Sequence, residues 1–263
     1  MKQKLCIFCG QSGMSKEHFW PNWIREHIKK DNSKKYIRGS VQGVPKGNEI
    51  EKNEHYRSGD VTTITFRTVC KSCNNGWMSK LEEDLKPIIL NSIGNCDQLL
   101  SESETLWLAK WITMKTMVSE HTKLDRHSTP KSDLLNFGAN RIIPKHFKIY
   151  VAKHNSPKIA DYSRTTTRLG TAATIHLHLN KISPNTQAVS FYLGKLFIFV
   201  FSCTDPTVNV LGEFKLNQMT YIKNDKEDRL NFKTLNVLDE HEQRNIILGL
   251  EKFIDSEKTG AIT

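Results

Sequence analysis

Two pairs of cysteines at Cys-x-x-Cys spacing, Cys6/Cys9 and Cys70/Cys73, are the residues of this chain most suited to chemistry. A thiolate is a soft ligand, and two such knuckles supply the four sulfurs of a closed tetrahedral zinc site. Met1 to Leu5 carries positive charge but only a short apolar run precedes Gly10 and Gln11, which is too little for a secretory leader. In a reducing cytosol this spacing reads as metal binding and not as disulfide bonding. The expected zinc is structural, because four thiolates leave no coordination position open. Cys96 and Cys203 stand alone and read as small buried apolar residues.

Between the knuckles lies Lys16-Glu17-His18-Phe19-Trp20-Pro21, and the second knuckle runs directly into Asn74-Asn75-Gly76-Trp77. A neutral imidazole near its ordinary pKa takes a proton from water at pH 7. A carboxylate with an amide oxygen suits a hard cation such as Mg²⁺ or Mn²⁺ better than it suits zinc. In Cys6-x-x-Cys9, Glu17-His18-x-x-Pro21 and Cys70-x-x-Cys73-Asn74, the first ninety or so residues resemble the HNH endonucleases of the ββα-metal, treble-clef type. The resemblance implies Glu17 and Asn74 as ligands of a catalytic Mg²⁺ or Mn²⁺ and His18 as the general base. It further implies hydrolysis of DNA phosphodiester bonds, in restriction or defence. Asn75 competes with Asn74 for the ligand's place, and spacing does not separate them. Glu17 stands where the family more often has Asp. The run from His18 to Cys70 is longer than a ββα core needs, so residues 31–60 are expected to be looped out. A second reading of the same residues is a zinc-stabilised module without enzymatic activity, binding nucleic acid or protein through basic loops.

These residues need elements to carry them. Trp20, Trp23, Ile24, His27 and Ile28 recur at the spacing of one helix face from Pro21 onward, and residues 31–60 read as a long loop or weak hairpin. Val61 to Val69, dense in β-branched residues, predicts a strand delivering the second knuckle. Trp77, Leu81, Leu85 and Ile88 then predict a helix, with Trp77 beneath the zinc and Glu82, Glu83 and Asp84 on other faces. Polar residues 94–101 suggest a boundary between a zinc-stabilised unit over 1–95 and a second unit over 96–263. Ser101-x-x-Glu104 is a capping box opening a helix to about His121 that is apolar over more than half its circumference.

Strands are predicted at Phe147–Ala152, Ala172–Leu179, Ala188–Leu193 and Leu196–Phe201, with a further one near Met219–Ile222. Gly194-Lys195 joins two of them as a two-residue turn. His176 and His178 share one strand face and read as part of a polar sheet surface. Asp239-x-x-Glu242 opens a last helix whose stripe is Ile246, Ile247, Leu250, Phe253 and Ile254. The fold class is therefore α+β; the resemblance implies a treble-clef/ββα-metal zinc domain at the N-terminal end, followed by a mixed helix and antiparallel-sheet domain.

The 263 residues carry 38 Lys and Arg against 28 Asp and Glu, a formal charge of +10. Such a balance favours a polyanion as partner, since neutralising phosphates releases condensed counterions. Nucleic acid, with DNA preferred, is the expected partner, and Lys29, Lys30, Lys34, Lys35 and Lys80 are the candidate phosphate contacts. No apolar run is long enough to cross a membrane, so the expected location is the cytoplasm. The C-terminal part has four readings open to it: recognising a target sequence, pairing with a second copy of the chain, sensing a ligand, or contacting a partner subunit.

Overall fold

The structure, a computed structural model, describes residues 4–28, 35–43, 51–58, 63–121, 127–158, 160–169, 184–208, 211–222 and 228–259. Its strands are β1 (Glu17–His18), β2 (Lys35–Gly43), β3 (Glu51–Ser58), β4 (Thr65–Phe66), β5 (Phe147–His154), β6 (Ala160–Thr167), β7 (Thr186–Leu193), β8 (Leu196–Cys203), β9 (Thr220–Ile222) and β10 (Val237–Leu238). Its helices are α1 (Lys71–Cys73), α2 (Ser79–Ile93), α3 (Glu102–Glu120), α4 (Lys131–Asn140) and α5 (Glu240–Thr259). The fold is mixed, with helices around a largely antiparallel sheet.

The sheet is organised by β7 and β8, in which every residue is buried. Strands covered on both faces need no polar alternation, which is why Leu196-Phe197-Ile198-Phe199-Val200-Phe201 reads as one apolar run. Their turn pairs Leu193 with Leu196, and Gly194 takes φ 60° at its first central position, as the sequence predicts. A side chain on Gly194 would run into the Ser92 carbonyl at the end of α2, and the Lys195 amide donates to that carbonyl at 2.7 Å. The strand order is β10-β5-β8-β7-β6-β2-β3, with β9 also on β5. The β10–β5 and β2–β6 pairs are parallel and the others antiparallel.

Alternate residues of these strands face opposite layers. Ile149, Val151, Val189, Phe191, Ile198 and Val200 pack with α2, α3, α4 and the cysteine knuckles. Ala152, Phe197, Phe199 and Phe201 pack with Phe214 and with Ile246, Leu250 and Ile254 of α5. The Ser101–Glu104 box caps α3, a contribution of about 1 kcal/mol, and every residue from Trp111 to Glu120 is buried. Asp239 and Glu242 exchange hydrogen bonds at 2.8 Å in the same way ahead of α5.

The first layer takes side chains from both sides of residue 95. Phe8 lies 5.9 Å from Phe137, Phe19 lies 4.5 Å from Tyr162 and 5.8 Å from Phe191, and Trp20 lies 6.2 Å from Trp111, between ring centroids. Burying each such ring contributes about 2–3 kcal/mol.

Several local expectations are corrected. The helix after Pro21 is a short 3-10 turn over Asn22–Glu26, and His27, placed on an apolar face at α spacing, is exposed because the tighter winding rotates it outward. Among the described residues just before the second knuckle, strand is confined to Thr65–Phe66, and residues 61 and 62 of the predicted strand lie outside the described residues. Residues within 31–60 do form a hairpin, β2 with β3, one of the two readings given for them, but instead of being looped out it joins the main sheet through β6. The polar stretch around residue 98 is also paired: Leu99 bridges Asn231, and the Phe232 amide donates to the Gln98 carbonyl. Both β6 and α4 lie where the sequence suggested no such element. The predicted strand Ala172–Leu179, with His176 and His178, lies outside the described residues. No helix among the described residues is long and apolar enough to cross a membrane.

Candidate functional site

The two knuckles come together because the segments bearing them are zipped by backbone bonds. The Ile7 amide donates to Thr68, Ser15 to Val69 and Lys71 to Gly13, at 2.9–3.0 Å, and Met14 bridges Cys70. Gly10 (φ 71°) and Gly13 (φ 82°) make the left-handed bends the first loop needs. One sulfur each from Cys6, Cys9, Cys70 and Cys73 then lies within 4.8 Å of all the others. Zinc–sulfur bonds of about 2.3 Å place tetrahedral sulfurs roughly 3.8 Å apart, so the cluster is at metal-binding spacing.

Two further observations fit a thiolate centre. The Cys73 amide donates to the Cys70 sulfur at 3.4 Å, the N–H···S bond of a knuckle. The Trp77 indole N–H is buried without a partner and lies beside the Cys73 sulfur. Burial raises the Cys70 thiol, but the Cys73 amide and the neighbouring sulfurs outweigh it and bring it to about 7, while burial pushes the Cys73 and Cys9 thiols up. These residues therefore fit a metal such as zinc.

Helix α4 covers this cluster. Gly138 sits so close to the Phe8 carbonyl that a side chain there would collide with it. Arg141, in the left-handed conformation at φ 59°, lays its guanidinium 3.7 Å from the centroid of Trp77 and donates to the Phe137 and Gly138 carbonyls. Burial lowers the Arg141 pKa, with negative charge at Cys73 opposing.

Downstream of the first knuckle, β1 pairs Glu17 with Phe66 and His18 with Thr65, and four residues beyond Phe66 comes Cys70. His18 is half-buried. Burial holds its pKa below the usual range, the positive charge of Arg25 acts the same way, and Glu17 opposes. The imidazole is therefore neutral at pH 7. Glu17 is 4% exposed and points inward, where its Oε1 accepts from Lys115 Nζ at 3.0 Å. Lys115 is 1% exposed, lies 2.6 Å from Glu82 Oε1 and donates to the His18 carbonyl at 3.1 Å.

Asn74 follows Cys73 into a π-type turn (Asn74–Met78) broken at Gly76, and its Nδ2 donates to Ser15 Oγ at 3.0 Å. Asn75 is exposed. Thus Asn74 is tied to the run that leads to Glu17, while the Glu17 carboxylate is held by an ammonium. Lys80 is 79% exposed and lies 3.9 Å from Asp84. Lys29, Lys30 and Lys34 lie outside the described residues, and Lys35 begins β2.

Lys115 and Glu82 were not among the candidates drawn from the sequence. The signal for Lys115 is its place in Ile112-Thr113-Met114-Lys115-Thr116-Met117-Val118, a lone charge in an apolar run. Glu120, at the end of α3, is a second buried charge; it accepts from the Ser128 and Thr129 amides and from Gln187, with Arg164 at 3.9 Å. Asp133, His146 and Ser202 form a hydrogen-bonded chain with 2.9 Å steps, but Ser202 is fully buried, which makes the group a staple between α4 and β8 and denies it a substrate. No family model, curated protein or solved structure matches the chain.

Proposed function

We propose that the chain is an endonuclease that hydrolyses DNA phosphodiester bonds, with His18 as the general base on a platform folded by zinc at Cys6, Cys9, Cys70 and Cys73. The observation that carries this reading is the order strand, strand, helix around the cysteines. Glu17–His18 pairs antiparallel with Thr65–Phe66, which leads into the second knuckle and α2, as in a ββα-metal core. The β2–β3 hairpin between them adds to another sheet, so the long insertion leaves that core contiguous. A neutral, half-exposed imidazole is in the right state to accept a proton from water. The charge of +10 suits a phosphate backbone.

The resemblance also calls for Mg²⁺ or Mn²⁺ to stabilise charge on the phosphoryl oxygens, with Asn74 and Glu17 as ligands. Asn74 keeps its Oδ1 end for such a duty, since its Nδ2 bonds Ser15. Glu17 fits poorly, because its carboxylate already pairs with a buried ammonium. That observation favours the second reading, a zinc-stabilised module that binds nucleic acid or protein without cutting. A role in restriction or defence belongs to the nuclease reading.

Cleavage of plasmid, linear duplex, single-stranded DNA and RNA, with Mg²⁺, Mn²⁺ or chelator, separates the two. The nuclease reading predicts cation-dependent DNA cleavage that falls at least about 100-fold in His18→Ala, with zinc content and melting temperature unchanged. A His18→Ala protein cutting at the wild-type rate would sink the assignment, and binding of all substrates without cleavage would establish the alternative.

A further inference from the structure

We infer that Glu17 is a positioning residue: its carboxylate is the counter-ion of Lys115, and the Glu17–Lys115–Glu82 cluster fixes the strand that presents His18. This rests on His18 being the reactive group of the site, but it takes Glu17 out of the metal's coordination sphere.

An ammonium has three N–H donors, and Lys115 has three acceptors around it: Glu17 Oε1 at 3.0 Å, Glu82 Oε1 at 2.6 Å and the His18 carbonyl at 3.1 Å. Two of these contacts are hydrogen bonds, to Glu17 and to the His18 carbonyl, and the third is a close ion pair with Glu82, so the buried charge is met on each side. At 1% exposure no water takes the place of a lost partner, and an unpaired charge at such depth is strongly destabilising. Handing Glu17 to a divalent cation would strip Lys115 of one of its two carboxylates and set two cations against one another. The other hydrogen bond goes to the main chain of His18 itself. A two-residue strand pair is weak support for a reactive group, and a buried bond from α3 to the His18 carbonyl supplies what β1 and β4 lack. Lys115 also lies 98 residues from Glu17 in sequence, so the cluster ties the cysteine-bracketed segment to the sheet-bearing part at the point where the imidazole is held.

The test compares wild type, Glu17→Gln, Lys115→Met and the double variant, by melting temperature, by the His18 Hε1 resonance and by Mn²⁺ affinity from electron paramagnetic resonance. Lys115→Met in the wild-type background strands two carboxylates and in the Glu17→Gln background only one. Its melting-temperature loss should therefore be smaller in the second background by at least about 3 °C. The His18 resonance should move in both single variants, and Glu17→Gln should bind Mn²⁺ within about twofold of wild type. Additive melting shifts with an unmoved His18 resonance overturn the inference. So does a tenfold or greater loss of Mn²⁺ affinity in Glu17→Gln, which would make Glu17 a ligand. If Lys115→Met does not fold, the isosteric Glu17→Gln carries the resonance and affinity readouts alone. A wild type that cuts nothing overturns the nuclease reading instead, because the Glu17–Lys115 coupling is read from stability and the resonance.

Discussion

At the scale of single residues, the cysteine cluster is built by its neighbours as much as by its sulfurs. Four thiolates around a metal such as Zn²⁺ would carry an excess of negative charge, and the groups beside Cys73 that would answer it are the indole N–H of Trp77 and the guanidinium of Arg141 stacked on that indole. Outer partners of this kind typically change metal affinity 10–100-fold. Arg141→Ala should accordingly release zinc to a chromogenic chelator at least about tenfold faster than wild type, with Arg141→Lys between them because it keeps the charge and loses the planar stack. Equal release rates in all three proteins would show that the guanidinium only packs. The cysteines were legible because knuckle spacing is local. Arg141 was not, since its partner is reached through the fold and its left-handed backbone leaves no mark in composition. Glu17 illustrates the harder case: its identity and its place before His18 were plain, while its role turns on a lysine 98 residues away.

At the scale of elements, periodicity succeeded where a segment is either wholly buried or clearly capped, as in α3, α5, β7 and β8. It failed where the pattern is thin. Strand β6, Ala160-Asp161-Tyr162-Ser163-Arg164-Thr165-Thr166-Thr167, is mostly polar and is held by its neighbours β7 and β2. Helix α4 buries only Leu134 and Phe137, too few to announce a face. Its function as a cover for the knuckle nonetheless gives a sharp expectation. Alanine is a better helix former than glycine by about 1 kcal/mol, so propensity alone predicts that Gly138→Ala stabilises α4. Contact predicts the reverse, because the added carbon meets the Phe8 carbonyl, and overpacking of this kind costs roughly 1–3 kcal/mol. We expect Gly138→Ala to lower the midpoint of urea unfolding and to hasten zinc release; a raised midpoint would mean that α4 does not press on the knuckle.

At the scale of the whole molecule, a division near residue 95 predicts two units that unfold apart, whereas the packing predicts one. Cys6, Phe8, Cys70 and Cys73 belong to the same apolar cluster as Phe137, Val189, Phe191 and Ile198, and Trp20 faces Trp111 across the proposed boundary. A short polar connection such as 94–101 marks a linker only if few contacts cross it, and this one is itself bonded to residues 230–232. Removing zinc is the direct test. Four thiolates without a metal repel one another or take up protons, and in either case the knuckle loses its hold on Phe8 and on α4. Chelation should therefore lower the melting temperature of the entire chain by at least about 5 °C. The transition should remain single, with tryptophan fluorescence and far-ultraviolet circular dichroism tracing the same curve. Two transitions, of which only the first responds to chelator, would restore the boundary at residue 95 and make the rings shared across it a contact between separately stable parts.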